Sequence, residues 1–294
     1  MKHSLKKILL LSIAAILAIG LLTGCPGSED PDTGTGPDLD PEAHIPIYAL
    51  VREEGSGTRA AFEDFFAAAG DAAYTVEGSL DMLLTVSHEM ITIGYISVAF
   101  MNESVKALYI DGIAPTVENI ANGSYRFTRP FQVATRQDMS GVTRDFYNFI
   151  LSAEGQDIIE AHGLARTGPG QPFAGSLPPG LVQISGSSSM APVMEALGFA
   201  YMGLNRNSNV EIHISNSATG IEAVAENGFD IGMVSFEATT AELAGLNSTT
   251  IAYDGIAIIV NHANAVNSLS SDLVSAIFAG EIDNWLEPAF EDHR

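Results

Sequence analysis

The chain contains 294 residues, of which 46% are hydrophobic and 17% are charged, so it can bury a substantial core and does not have the composition of a disordered polymer. Its 36 acidic residues outnumber its 13 basic residues, and the formal net charge is −23. Nucleic-acid partners require a basic stripe, so this balance argues against them. Any anion site must work through local hydrogen bonds and dipoles, against the field of the whole chain.

The N-terminus has the pattern of a secretory signal. A basic segment, MKHSLKK, precedes an apolar run and a small-residue cleavage site, which predicts a signal peptide over residues 1–24. The only cysteine, Cys25, follows at the position of the lipidated residue in a bacterial lipobox. The apolar run is short and ends in a Pro/Gly/Asp stretch, so we expect cleavage before Cys25 and lipidation of its thiol rather than a membrane-spanning anchor. Residues 25–44 are rich in Pro, Gly and acids, which predicts a flexible acidic tether.

Strands and helices alternate between residue 45 and the connector that precedes residue 181. Apolar extended runs predict strands over 45–51, 91–100, 105–112 and 130–136. Helical spacing predicts helices over 58–69, 80–88, 115–120 and 142–161, the last of them broken near Ser152. Residues 166–180 are mostly Pro and Gly, so we interpret them as a connector.

The same alternation continues after the connector. Strands are predicted over 181–185, 210–215, 229–235 and 251–261, and helices over 191–202, 221–227 and 269–278. Gly228 and Gly280 are expected to close the last two helices. The whole pattern indicates an α/β fold.

A loop rich in Gly, Ser and Thr follows the first strand and precedes the first helix. Such a junction leaves several backbone N–H groups unpaired at the positive end of the helix dipole, which favours a negative charge. Ser56 and Thr58 add hydroxyl donors, and Arg52 supplies a planar, permanently charged guanidinium. Taken alone, this loop is also typical of an ordinary capped helix.

Two further loops, at residues 186–190 and 216–220, repeat this composition at strand-to-helix junctions. Ligands of open α/β sheets bind at the carboxyl ends of the strands, where such loops can converge. The repetition predicts a site for a small oxyanion that accepts many hydrogen bonds. Uncharged donors would explain how an oxyanion binds to so acidic a protein.

Several segments together resemble the phosphate-binding proteins of phosphate ABC transporters, which are of the type II periplasmic-binding-protein class. Those that resemble the family's C-terminal half are REEGSGTRAAFEDF, IGYISVAF, VKALYIDGIAPTVENIANGSYRFTRPF and FILSAEGQDIIEAHG. Those that resemble its N-terminal half are GSSSMAPVMEAL, NSATGIEAVAENGFDIGMVS, YDGIAIIVN and IFAGEIDNW. The matches cover most of residues 46–285, but in reversed order, which indicates a circularly permuted chain. The resemblance implies two α/β lobes, one split (45–129 plus 256–294) and one continuous (130–255, with connector 166–180).

The resemblance also implies which residues contact the anion. The matching positions are Arg52, Ser56, Gly57, Thr58, Ser188, Ser189, Met190, Ser217 and Ser235. Well-known members of the family carry a carboxylate near the last of these positions, where it accepts the proton of hydrogen phosphate. Here that segment reads Ser235-Phe236-Glu237, so Glu237 is the nearest acid along the chain. The missing Asp leaves the selectivity between phosphate and sulfate open.

The resemblance implies a monomeric, extracytoplasmic, lipid-anchored solute-binding protein that needs no cofactor. It would capture inorganic phosphate and deliver it to an ABC permease in the membrane. Two alternatives stay open, namely a binding protein for another oxyanion such as sulfate or molybdate, and a phosphate-sensing lipoprotein without a transport role. A third is that the C-terminal end leaves the split lobe incomplete.

Catalysis is not indicated. The seven histidines are scattered, without the spacing of a metal site. Neither serine-rich loop matches the nucleophile elbow of serine hydrolases, and neither contains the Lys of a nucleotide-binding P-loop. We therefore expect a binding protein without a metal.

Overall fold

The computed structural model describes residues 44–66, 70, 73–243 and 245–293. The predicted signal peptide, Cys25 and almost all of the predicted tether lie outside these residues. Among the helices of the described ranges, none is both long enough and apolar enough to cross a membrane.

The described residues form an α/β structure. The strands are β1 (Tyr48–Arg52), β2 (Tyr74–Val76), β3 (Thr92–Ser97), β4 (Lys106–Ala107), β5 (Tyr109–Ile110), β6 (Thr128–Thr135), β7 (Ala165–Arg166), β8 (Gly180–Ser187), β9 (Ser208–Ser215), β10 (Ile231–Val234), β11 (Asn247–Val260) and β12 (Ser268–Leu269). The helices are α1 (Gly57–Phe65), α2 (Gly78–His88), α3 (Val117–Ala121), α4 (Gly141–Ile150), α5 (Ala153–Ala161), α6 (Ala191–Leu204), α7 (Ser217–Ala225) and α8 (Ser271–Ala279). Two short 3₁₀ helices lie at Val98–Phe100 and Pro288–His293.

Two long antiparallel strands, β6 and β11, lie at the centre of the sheet order β2-β1-β3-β11-β6-β10-β8-β9. On one side, β1 pairs in parallel with both β2 and β3. On the other side, β8 pairs in parallel with both β9 and β10. We call β6 and β11 the crossing strands, because they connect these two parallel groups.

The buried apolar residues form two large clusters, one on each side of the crossing strands. The first cluster draws on residues 47–127 and 256–290 and on Ala165, and the second on other residues between 131 and 252. Phe127 and Ile256 belong to the first cluster, whereas Phe131 and Ala252 belong to the second. The fold is therefore a two-lobed α/β structure. The lobe boundaries at 45–129 plus 256–294 and at 130–255 stay a prediction.

Side-chain caps set where several helices begin. The predicted break near Ser152 is present, because the hydroxyl of Ser152 accepts from the N–H of Gly155 and starts a new helix, α5. Asn216 caps α7 in the same way, through a hydrogen bond from the N–H of Thr219. This helix therefore begins four residues before its predicted start at residue 221.

Three further predicted elements differ from the structure. The strand predicted over 105–112 is two short strands, because the chain changes partner: the N–H of Leu108 donates to Ile258 and that of Tyr109 to Asn267. The strand predicted over 91–100 ends at Ser97 and continues as a 3₁₀ turn. The helix predicted over 58–69 ends earlier, because Phe66 is extended.

Candidate functional site

The three loops singled out in the sequence meet between the lobes. The N–H of Ala218, in the third loop, donates to the carbonyl of Gly55 in the first loop at 3.2 Å. Thr58 of the first loop and Ser189 of the second contact each other through their hydroxyls at 2.8 Å. The structure thus brings together polar groups that lie more than 100 residues apart along the chain.

One group of polar side chains, which we call the hydroxyl cluster, connects the two lobes. It consists of Arg52, Thr58, Ser79, Ser188 and Ser189, all of them buried. Arg52 donates from Nη1 to the hydroxyl of Ser79 at 3.2 Å and from Nη2 to that of Ser188 at 3.1 Å. The hydroxyl of Ser79 lies 3.1 Å from those of both Ser188 and Ser189, and its N–H donates to Ser188. Three hydroxyls and a guanidinium therefore share one small volume with the Thr58 side chain.

A second group, the serine triplet, lies against Gly57 and comprises Ser187, Ser217 and Ser235. The hydroxyl of Ser187 donates to that of Ser235 at 2.8 Å, and the N–H of Ser235 donates to the hydroxyl of Ser217. A methyl group on Gly57 would lie 2.5 Å from the Ser217 hydroxyl and 2.6 Å from that of Ser235. The backbone at Gly57 can approach the other lobe only because glycine has no side chain.

Two of the predicted site residues use their side chains elsewhere. The hydroxyl of Ser56 accepts from the N–H of Arg59 and so caps α1. The side chain of Met190 is buried in the second hydrophobic cluster, and its N–H donates to the carbonyl of Ser187. Both residues fix the loops that carry the hydroxyls.

Four helix N-termini contribute to the site. Thr58 lies in the first turn of α1, Ser79 in that of α2 and Ser217 in that of α7, while Ser188 and Ser189 immediately precede α6. Each N-terminus carries partial positive charge from its aligned peptide dipoles. The positive ends of four helices thus surround the hydroxyls, which favours an anion there.

Sequence reasoning missed Ser79, which belongs to the hydroxyl cluster. The helix predicted from residue 80 begins at Gly78, where the backbone has a φ of +73°. The Gly78-Ser79 pair before an apolar helix is the same signal as in the other three loops. It could have been recognised as a fourth loop.

The acid that contacts the site is Glu53, not Glu237. Glu237 is exposed, whereas Glu53 accepts from Nε and Nη2 of Arg52 at 2.8 and 2.7 Å. Burial by itself would raise the pKa of Glu53, but the hydrogen bonds from Arg52 and from the N–H of Gly78 outweigh it and lower the pKa. Arg52 therefore enters the site already paired with a carboxylate.

A second ion pair, with both partners buried, joins the crossing strands beside the site. Arg129 and Asp254 lie directly opposite each other in the β6–β11 pairing and are 2% and 0% exposed. Two guanidinium nitrogens of Arg129 donate to Oδ2 of Asp254 at 3.0 and 2.9 Å. Burial raises the pKa of Asp254, and Arg129 opposes that rise. Each of the two buried guanidiniums near the hydroxyls thus has a carboxylate partner.

Comparison with known proteins gives a consistent assignment. A model of the PBP superfamily domain matches residues 170–293. The phosphate-binding protein PstS 2 of Streptococcus agalactiae is 38% identical over 299 aligned residues, which cover 97% of this chain and 98% of the relative. This chain belongs to the PstS family. PstS 2 of Streptococcus pneumoniae is 34% identical over 81% of this chain and 86% of its own length.

The PstS family likeness extends to three dimensions. The crystal structure of a phosphate-binding protein of a phosphate ABC transporter from Streptococcus pneumoniae is 31% identical and superposes with a TM-score of 0.66. The superposition covers 82% of this chain and 98% of that structure. The alignment with the Streptococcus agalactiae PstS 2 spans both chains nearly end to end, so the segments have the same order in both. Circular permutation relative to other PstS proteins stays a prediction.

Proposed function

We propose that this protein captures inorganic phosphate between its two lobes, outside the cytoplasm, for an ABC-type importer. The observation that carries the proposal is the hydroxyl cluster and the serine triplet, buried together at the N-termini of four helices, in a chain that is similar to PstS proteins over almost its whole length. The contacts we assign to phosphate are Arg52, Gly57, Thr58, Ser188, Ser189, Ser217 and Ser235, together with Ser79. Ser56 and Met190, predicted with them, are assigned to holding the loops that carry these groups.

Neutral donors supply most of the recognition in this proposal. Glu53 pairs with Arg52 and Asp254 with Arg129, so the net charge of these four side chains is close to zero. Hydroxyls, amide N–H groups and helix dipoles then stabilise the anion in a site from which water is excluded. Closure of the lobes is favoured because the bound anion makes contacts with both of them.

Ser235 bears on the selectivity of the site between protonated and fully ionised oxyanions. A hydroxyl can donate to a fully ionised oxygen and can also accept the proton of hydrogen phosphate. A carboxylate at this position would only accept and would repel sulfate. We therefore propose weaker discrimination against sulfate than a carboxylate would give, and sulfate or molybdate remains the alternative ligand.

The proposal is tested by calorimetric titration of the purified chain with phosphate, sulfate and molybdate at two pH values. Tight binding of phosphate with weaker binding of sulfate is expected. Binding of sulfate or molybdate in preference to phosphate would contradict the phosphate assignment and favour the alternative.

Replacement of Arg52 tests the site itself. Arg52→Ala removes two charged hydrogen bonds to site hydroxyls, so we expect phosphate affinity to fall roughly 10- to 100-fold. The matched control is Arg144→Ala on the exposed side of α4, which should leave the affinity unchanged. Similar losses in both variants would refute the assigned site.

The lipid anchor is a separate part of the proposal. Cys25 follows the predicted signal peptide at the position where a bacterial lipoprotein is acylated. In cells, the wild-type chain should label with a radioactive fatty acid and sediment with membranes, whereas Cys25→Ser should do neither. A labelled Cys25→Ser chain would place the modification elsewhere.

A further inference from the structure

Arg129 is a buried guanidinium that neither the sequence pattern nor the family resemblance assigned to the site. It lies on the crossing strand β6, between the two hydrophobic clusters, with its side chain 2% exposed. An arginine in such a place is costly to bury unless every donor finds an acceptor. The hydrogen bonds of Arg129 therefore indicate its role.

One nitrogen of Arg129 contacts both lobes at the site. While Nε and Nη2 donate to Asp254, Nη1 donates to the hydroxyl oxygen of Thr58 at 2.9 Å and to the carbonyl of Ser235 at 2.9 Å. Thr58 belongs to the hydroxyl cluster, and Ser235 belongs to the serine triplet. Arg129 thus contacts one residue of each group from its position on β6, one of the two strands that join the lobes.

The contact with Thr58 fixes the direction of its hydroxyl. A guanidinium has donors and no acceptor, so the Thr58 oxygen must accept from Arg129. Its own hydrogen then points away from the guanidinium and can donate within the hydroxyl cluster, where the hydroxyl of Ser189 lies 2.8 Å away. Without Arg129, the same hydroxyl could turn its lone pairs toward that volume, where they would repel an anion.

We propose that Arg129 is a positioning residue that holds the Thr58 hydroxyl as a donor toward the bound oxyanion. Asp254 neutralises the charge of Arg129, so the effect passes through this hydrogen bond rather than through a long-range field. The inference rests on the proposed oxyanion site and adds a specific residue to it.

A double-mutant cycle on phosphate affinity tests this role. In the full chain, Arg129→Met should weaken phosphate binding roughly 10- to 100-fold, the range expected for loss of a charged hydrogen bond. In a Thr58→Val background, which removes the hydroxyl that Arg129 orients, the same change should cost less than about threefold more. Equal losses in both backgrounds would overturn the proposal, since a merely structural role predicts additive effects.

A fallback variant and a control variant complete the test. If Arg129→Met alone leaves Asp254 unpaired and prevents folding, the cycle is run with Arg129→Met combined with Asp254→Leu, which removes both charges together. Arg136→Met is the matched control, because its Nη1 likewise donates to two acceptors, the carbonyls of Val224 and Phe229, but to none of the site hydroxyls named above. It should show no coupling to Thr58→Val. A wild-type chain that binds no phosphate would instead refute the proposed function, and this inference with it.

Discussion

Gly57 lies at a position where the backbone of one lobe meets the serine triplet of the other. The α-carbon leaves no room for a side chain, since a methyl group there would lie within 2.6 Å of two serine oxygens. A contact below 3 Å between carbon and oxygen is strongly repulsive, so the neighbouring chain would have to move. This residue therefore sets how closely the lobes can approach.

Gly57→Ala should reduce phosphate affinity by the equivalent of about 1–3 kcal/mol, the usual range for overpacking. The control is Gly203→Ala in α6, where the added methyl meets no atom within 4 Å. That variant should bind phosphate like the wild type and gain slight stability from the better helix propensity of Ala. Calorimetric titration of both variants with phosphate measures the two affinities. An unchanged affinity for Gly57→Ala would show that the lobes need not approach this closely.

At the scale of elements, the segment between β7 and β8 is held by helix α4. Asp145 of α4 is 6% exposed and accepts from the N–H groups of Ser176 and Leu177 and from the hydroxyl of Tyr201. Burial, together with the bond to this carboxylate, raises the pKa of Tyr201 to about 12. The connector is thus fixed to α4 and α6 through one carboxylate.

Asp145→Ala should lower the free energy of unfolding by roughly 1–3 kcal/mol, because it leaves the buried hydroxyl of Tyr201 and two partly buried N–H groups without their acceptor. Phosphate affinity should change little, since the connector contacts none of the proposed ligand residues through this carboxylate. Asp138→Ala is the control: that side chain is 87% exposed, and its ion pair at 3.7 Å should contribute little. Denaturant unfolding of the two variants gives the comparison, and equal stabilities would contradict the anchoring role.

The elements that could be predicted are those with a local cause. Hydrophobic runs predicted the crossing strands, and Ser152 predicted the break between α4 and α5. Both signals are local, because caps and periodicity act over a few residues. The pairing of Arg129 with Asp254 could not be found in this way. Those residues are 125 positions apart and become neighbours only when β6 and β11 align. The switch of partner between β4 and β5 was missed for the same reason.

For the whole molecule, the two-lobe fold places a proposed anion site inside a chain of net charge −23. The ion pairs at Arg52 and Arg129 cancel local charge, so the remaining acids dominate the field that an approaching phosphate meets. That field acts over distances on the scale of the Debye length, about 10 Å at 0.1 M salt. Short hydrogen bonds inside the site are screened far less.

Salt should therefore strengthen phosphate binding, because it screens the repulsion at long range more than the contacts in the site. We expect the dissociation constant to fall a few-fold as ionic strength rises from roughly 0.01 M to 0.1 M, the range over which the Debye length shrinks from about 30 to 10 Å. Titrations in potassium glutamate test this, since its anion is much larger than phosphate. A dissociation constant that rises with salt would mean that exposed cations, rather than buried neutral donors, attract the ligand.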